Sequence, residues 1–174
     1  MKCLGKCIDM MDLGIDRMTE VLPQLPSIDV KLSRLLMLVG ASMQNGLEEK
    51  LEPHRLNHSE FLTLMVLYTH PDGQLTPSEL CELATQRATN MTRIGNTLVK
   101  RGLISRGASA EDRRRVLIRI TPSGRRFVQK ILPPMFPHVD AMFAGFSDTD
   151  KRNLGRLLRK LSHNLDQLDA DTAP

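Results

Sequence analysis

Apolar and polar positions recur at helical spacing over much of this chain. Between Ile28 and Leu51 the apolar residues follow one another at steps of three and four, which predicts an amphipathic helix that Pro53 ends. Residues 1–27 are mixed in character, and the prolines within them interrupt any long helix. No uninterrupted apolar run reaches about 18 residues, so the sequence predicts no helix that spans a membrane.

Capping boxes mark where the next helices begin. An Asn-x-x-Glu motif at 57–60 begins a helix that the turn at 70–73 ends, and a Thr-Pro-Ser-Glu motif at 76–79 begins another. That helix is short, breaks at residues 85–88 and leads into a further helix that ends with basic residues and a glycine at 100–102. Two short helices with a tight connection are typical of a helix-turn-helix motif.

The apolar period then changes from helical to alternating. Residues 103–106 and 115–120 read as two strands of a hairpin, joined by a polar loop that carries arginines at its far end. Thr121 and Pro122 begin another helix, which the prolines at 133, 134 and 137 bend or split. The predicted fold class is mainly α with a small β-wing. We assign a winged helix-turn-helix DNA-binding lobe to residues 57–121, a helical dimerisation region to 28–56 and 122–174, and an N-terminal extension that contributes to the dimer to 1–27.

The last predicted helix, capped by Ser147, carries a stripe of leucines that is wide for a helix exposed to water. Two arrangements bury such a stripe: a second copy of the chain, or the core of a single protomer. We expect the homodimer. The leucines of the stripe are Leu154, Leu157, Leu158, Leu161, Leu165 and Leu168.

Charge is concentrated in one part of the chain. The 174 residues carry a net charge of +4, yet Arg87–Arg126 holds ten arginines and one lysine against two acidic residues. A cationic block in an otherwise acidic chain indicates a polyanionic partner, here double-stranded DNA. Aromatic residues make up only 3% of the chain, which argues against base stacking as the mode of binding. The chain lacks the motifs of phosphate loops, nucleophile elbows and metalloproteases, so we expect no enzyme.

The second helix of the motif has two faces. Met91, Ile94, Gly95 and Leu98 fall on one side, and polar residues fall on the other. Arg93 can bind guanine and Asn90 adenine in the major groove, whereas Arg87, Thr89 and Lys100 are better placed for phosphates. The polar face as a whole comprises Thr89, Asn90, Arg93, Thr97 and Lys100.

The arginines at the end of the hairpin suit a narrow minor groove. Arg113 and Arg114 stand where a wing would reach the duplex. An ion pair between Arg114 and Asp112 is the alternative, and it is compatible with DNA contact by Arg113.

Two stretches carry a family resemblance. Asp112–Gly124 resembles the wing signature of the MarR family of bacterial transcriptional regulators, and Leu98–Ile104 resembles the end of that family's recognition helix. The order of elements matches from about Ile28 onwards, and the Pro133–Pro134 break together with the extra N-terminal residues resembles the branch of multidrug-efflux repressors. The resemblance implies an obligate dimer with two winged lobes on a pseudo-palindromic operator. Repression is the commoner outcome in the family, and activation stays open.

The resemblance also implies a small aromatic or phenolic acid as effector, such as salicylate or a hydroxylated nicotinate. Residues at the start of the second helix and in the middle of the first line the family's effector crevice. Here these would be His58, with Arg34, Met43 and Asn45, because a cation pairs with a carboxylate and Met gives an adaptable apolar wall. His58 as a solvated residue and Arg34 as a surface charge are the alternative.

The cysteines leave a second mode of control open. Three cysteines are too few for a disulfide scaffold and favour a reducing, cytoplasmic location. Cys3 and Cys7, in an N-terminus that we expect to be frayed, allow redox sensing, although no cysteine lies between Ile28 and Pro53, the predicted long helix in which the family's oxidant sensors carry theirs. Cys81 falls within a predicted helix. We expect no cofactor, and no metal, since a helix boundary separates His54 from His58. A winged-helix module that binds another protein instead of DNA is a further alternative for the function.

Overall fold

The computed structural model describes residues 3–108 and 115–172. The described residues form two compact units, Met1–Ile131 and Leu132–Pro174. In chain order the first unit contains α1 (Leu4–Val21), α2 (Ser27–Leu51), a 3₁₀ helix (Glu52–His54), α3 (His58–Thr69), β1 (Gln74–Leu75), α4 (Pro77–Leu83), α5 (Ala88–Lys100), β2 (Ile104–Ala108), β3 (Val116–Ile120) and α6 (Pro122–Ile131). The second contains a 3₁₀ helix (Pro133–Met135), α7 (Phe136–Met142) and α8 (Asp148–Thr172).

The expectation of a frayed N-terminus is wrong, because α1 is a helix of 18 residues. Cys3 is its N-cap and Cys7 lies in its first turn. The apolar residues of α1 recur at steps of four and three, a helical signal that the mixed composition of the segment obscures. Ile15 of this helix is buried, and its carbonyl accepts a hydrogen bond from the Thr19 hydroxyl. Lys31 of α2 forms an ion pair with Asp16 of α1 at 2.6 Å.

The winged lobe has the predicted order of elements. α3 packs against α2, α4, α5, α6 and β3, and the core around it includes Leu64, Leu67, Leu80, Ile94 and Leu98, each fully buried. The capping box of Asn57 and Glu60 begins α3 as predicted, with the Glu60 N–H donating to Asn57 Oδ1 at 2.9 Å.

The wing is a three-stranded antiparallel sheet in the order β1–β3–β2. The pairing of β2 with β3 confirms the predicted hairpin, and Ile118 and Ile120 are buried as their alternation predicts. β1 was not predicted, because a strand of two residues is too short to show a period; Gln74 stands opposite Arg119 in the register. β2 extends to Ala108, beyond the predicted strand.

In the C-terminal unit the helices begin and end where the prolines and the capping residue predict. The prolines after Ile131 divide the chain into a 3₁₀ helix and the short α7, and Ser147 caps α8 through reciprocal hydrogen bonds with Asp150. No described helix is both long enough and apolar enough to cross a membrane.

Candidate nucleic-acid interface

The helix-turn-helix owes its geometry to one capping box and one strained connection. The Thr76 N–H donates to Glu79 Oε2 at 2.8 Å, and the Glu79 N–H donates to Thr76 Oγ1 at 3.3 Å. The Thr76 N–H and the Thr76 hydroxyl, which lies 2.7 Å from Oε2, both donate to the Glu79 carboxylate and lower its pKa. Between the helices Thr85 has a φ of +51°, a conformation that β-branched residues rarely adopt. The connection is therefore tight, and it sets the angle at which α5 leaves α4.

The two faces of α5 are those that its periodicity predicts. Met91, Ile94, Gly95 and Leu98 are all buried. The predicted DNA-binding residues lie on the other side of the helix or at its beginning. Arg87, Thr89, Arg93 and Lys100 are exposed, and Asn90 and Thr97 are half-buried.

A chain of hydrogen bonds runs along the N-terminal half of this polar face. Asn90 Nδ2 donates to Gln86 Oε1 at 2.5 Å, and Arg93 Nη2 donates to Asn90 Oδ1 at 3.0 Å. Both polar ends of the Asn90 amide are therefore engaged within the protein. In this arrangement Asn90 orients the guanidinium of Arg93 and keeps one N–H and one oxygen lone pair for a base.

Several arginines of the cationic block bind the protein rather than facing solvent freely. Arg106 of β2 donates to Asn96 Oδ1 at 2.8 Å, and Arg119 of β3 donates to Gln74 Oε1 at 2.7 Å and to the Ala108 carbonyl at 3.0 Å. Arg101 binds two backbone carbonyls outside the motif. The sequence showed the charge but not these acceptors, because each acceptor is distant in the chain. The number of arginines in the block therefore overstates the number available to DNA.

The wing arginines Arg113 and Arg114, together with the proposed Arg114–Asp112 pair, lie outside the described residues. The strands leading to them are described: β2 ends at Ala108 and β3 begins at Val116.

The four predicted effector residues do not line one site within the described protomer. Arg34, Met43 and Asn45 are exposed on α2, and His58 is half-buried at the beginning of α3. Arg34 and Asn45 share a helix face about 16 Å apart, and Met43 lies about half a turn away from both. Of the four, Asn45 lines an open groove of about 700 Å³ that also contains the side chains of Glu48, Glu49, Glu52, Arg55 and Glu60.

A larger cavity lies between the helix-turn-helix and the wing. It measures about 950 Å³ and has apolar walls at Met91 and Ile118, with the cations of Arg87 and Arg106 beside it. No sequence motif predicts this cavity, because α4, α5 and the strands come together only in the fold. Cys81 of α4 is half-buried in its wall.

The described residues contain no group of three or more His, Cys, Asp or Glu side chains that could hold a metal ion. His54 belongs to the 3₁₀ helix and His58 to α3, with Arg55 in a left-handed conformation between them. Cys3 and Cys7 are free and exposed.

Comparisons with known proteins agree on the kind of molecule that this chain resembles. A sequence model of the MarR family matches residues 56–115. The transcriptional repressor MprA of Escherichia coli K12 is 33% identical over 147 residues, covering 84% of this chain and 83% of that protein. The DNA complex of Staphylococcus aureus MepR has a TM-score of 0.69 at 22% identity, covering 77% of this chain and 97% of that one. Bordetella bronchiseptica BpsR, whose DNA binding is regulated by 6-hydroxynicotinic acid, has a TM-score of 0.66 at 21% identity, covering 75% and 91%.

Proposed function

Because this chain belongs to the MarR family and is a DNA-binding transcriptional regulator rather than an enzyme, we propose that it is a homodimeric, cytoplasmic repressor. It binds a pseudo-palindromic operator, and a small aromatic acid releases it from that DNA. Each protomer inserts α5 into a major groove and reaches the flanking minor groove with its wing. One observation carries the proposal: α5 buries one face and leaves Arg93 and Lys100 exposed on the other, with Arg87 exposed at its N-cap.

The residues divide into two roles in this mechanism. Arg93, held by Asn90, binds a base edge and supplies sequence preference. Arg87, Thr89, Thr97 and Lys100 bind phosphates and fix the register, and Arg113 and Arg114 enter the minor groove.

Salt dependence tests the DNA-binding role directly. A duplex selected by the protein from a randomised library is titrated by fluorescence anisotropy at several salt concentrations. A duplex binder loses affinity with a log–log slope of about −0.9 per phosphate neutralised. The Arg93→Ala variant loses preference for the selected duplex, and the Arg113→Ala variant binds all duplexes more weakly. A slope near zero would instead favour the protein-interaction module.

The effector belongs to the same proposal. The ligand stabilises a spacing of the two lobes that no longer fits successive major grooves. We propose that the dimer brings together the predicted effector residues Arg34, Met43, Asn45 and His58, with Arg34 or His58 as the partner of the carboxylate. The BpsR structure supports a hydroxylated nicotinate as one ligand to test, since 6-hydroxynicotinic acid regulates that protein.

The cavity between the helix-turn-helix and the wing is a second candidate for the effector. Two guanidinium groups against Glu82 give the cavity a net positive charge that attracts an anion, whereas four glutamates against Arg55 give the groove at Asn45 a net negative charge that repels one. Calorimetric titration with salicylate and with 6-hydroxynicotinate separates the two. His58→Ala weakens binding if the crevice is the site, and Arg106→Met weakens binding if the cavity is the site.

Redox control through the N-terminal cysteines is the alternative to a ligand. Cys3 and Cys7 stand one helical turn apart and are exposed, so they are accessible to an oxidant. Diamide treatment tests this alternative: under redox control it lowers operator affinity in the wild type but not in the Cys3→Ser/Cys7→Ser variant.

A further inference from the structure

Arg101 joins the end of the recognition helix to the end of another long helix of the same unit. It is the C-cap of α5. Its Nη1 donates to the Arg55 carbonyl at 2.7 Å and its Nη2 to the His54 carbonyl at 2.9 Å. The two acceptors lie where α2 and its 3₁₀ extension end, 46 and 47 residues earlier in the chain.

The acceptors are carbonyls that the helix itself leaves without partners. The last carbonyls of a helix have no N–H within the helix to bind. Here the Leu56 N–H reaches back to the Leu51 carbonyl at 3.3 Å and the Arg55 N–H to the Glu52 carbonyl at 2.8 Å, which satisfies two earlier groups. The planar fork of Arg101 then satisfies the carbonyls of His54 and Arg55, and a cation at a helix C-terminus is also favoured by the helix dipole.

A third element holds the guanidinium in place. Its Cζ lies 5.3 Å from the centre of the Phe127 ring of α6, a cation–π contact. The His54 ring packs edge-on against the same phenyl ring at 6.3 Å. The side chain is thus fixed by α2 and α6 together, although it belongs to a block of arginines that suggests DNA contact.

We propose that Arg101 is a positioning residue for DNA recognition: its bidentate bond to the His54 and Arg55 carbonyls, braced by Phe127, sets the position of the recognition helix relative to α2 without contact to the duplex. Displacement of α2 is transmitted to α5 through this bond. The inference rests on the proposed DNA-binding function, because it assigns one arginine of that block to orientation rather than to phosphate binding.

The test compares three full-length variants with the wild type on the selected duplex over a range of salt. Arg101→Met keeps an apolar stem on Phe127 but removes the fork, and Arg101→Lys keeps the charge but cannot bind both carbonyls in parallel. Both variants are expected to lose affinity by about tenfold with the salt slope unchanged. Lys100→Met, the matched neighbour, is expected to lose affinity with a slope smaller by about 0.9. Rescue by Arg101→Lys, or a reduced slope in Arg101→Met, would show a phosphate contact and overturn the proposal.

Hydrogen exchange of the free protein distinguishes a change in the position of the recognition helix from a general loss of stability. In Arg101→Met we expect faster amide exchange at residues 54–56 and in the last turn of α5, with the core of α3 unchanged. Arg55→Gly is the control, because it removes a nearby cation but keeps the backbone acceptor; its last turn of α5 is expected to exchange like that of the wild type. Faster exchange throughout the unit would overturn the proposal. This measurement needs no DNA, so a wild type that binds no duplex would refute the proposed function without deciding the role of Arg101.

Discussion

The guanidinium of Arg106 lies directly over Gly95 of the recognition helix, in the space that a β-carbon at that position would occupy. Arg106 also donates to Asn96 Oδ1 at 2.8 Å and to the Thr92 carbonyl at 3.4 Å. A strand of the wing is therefore fastened to α5 across a position without a side chain. The wing and the recognition helix consequently hold each other in one orientation.

The Gly95→Ala variant tests this fastening. Alanine favours the helix by about 1 kcal/mol over glycine, whereas the new methyl group displaces the flexible end of Arg106 and breaks its bond to Asn96. These effects oppose each other, so we expect an unfolding free energy within about 1 kcal/mol of the wild type. Operator affinity is expected to fall several-fold, measured by anisotropy against urea unfolding on the same preparation. Unchanged affinity would show that the wing does not depend on Arg106.

At Gly124 of α6 the same substitution is expected to lower the stability of the protein. A β-carbon there would overlap the Leu103 carbonyl, and a backbone oxygen in a paired segment cannot move aside as a guanidinium can. We expect Gly124→Ala to lower the unfolding free energy by about 1–3 kcal/mol, measured by urea unfolding. Gly14→Ala is the control, since nothing lies within 4 Å of the added carbon in α1. A Gly124→Ala protein as stable as this control would contradict the close contact.

The local elements of the fold could be predicted because their causes are local. The caps at Asn57, Thr76 and Ser147 each act within three residues, and the buried face of α5 follows from its period alone. The partners of Arg101, Arg106 and Arg119 could not be predicted, because each depends on a distant acceptor that only the fold brings near. The same reasoning explains the cavity beside α5, which has no motif of its own.

The free energy of unfolding is expected to fall in acid, because the carboxylate of Glu79 caps a helix. Hydrogen bonds from Thr76 lower the pKa of Glu79 from 4.5, so its stabilising contribution is present at neutral pH and is lost as the pH falls through the folded-state pKa. We expect Glu79→Gln to be less stable than the wild type at pH 7 and to approach it as the pH falls below 4.5 and through the lowered pKa of the folded state. Urea unfolding across this pH range measures the difference. A difference that does not change with pH would rule out the titration of Glu79 as its source.

Sequence preference is expected to depend on the Asn90–Arg93 hydrogen bond. Arg93→Ala should reduce the preference for the selected duplex over a scrambled one by about 10- to 100-fold, because a bidentate contact to guanine is lost. Asn90→Ala should reduce it less, since Arg93 remains but is no longer oriented by the bond at 3.0 Å. Competition binding measures both. Arg17→Ala, which removes an arginine from α1, is expected to leave the preference unchanged; a similar loss there would show that the effect is one of net charge.

Dimerisation is expected to depend on the leucine stripe of α8. Leu158 and Leu161 are 42% and 38% exposed in the protomer, an arrangement that a second copy of the chain would cover. A carboxylate placed in an apolar interface is strongly unfavourable, so Leu161→Glu should shift the protein from dimer to monomer. His163→Asp adds a carboxylate on the opposite side of the same helix and should leave the dimer intact.

Light scattering after size exclusion measures the mass of both variants, and anisotropy on the selected duplex measures the consequence for DNA. Two lobes bound to adjacent half-sites gain affinity from their connection, so a monomeric Leu161→Glu protein should bind the full site no more tightly than one half-site. The His163→Asp protein should retain the stronger binding to the full site. If Leu161→Glu stays dimeric, the stripe is not the dimer interface, and that interface must be sought on another surface.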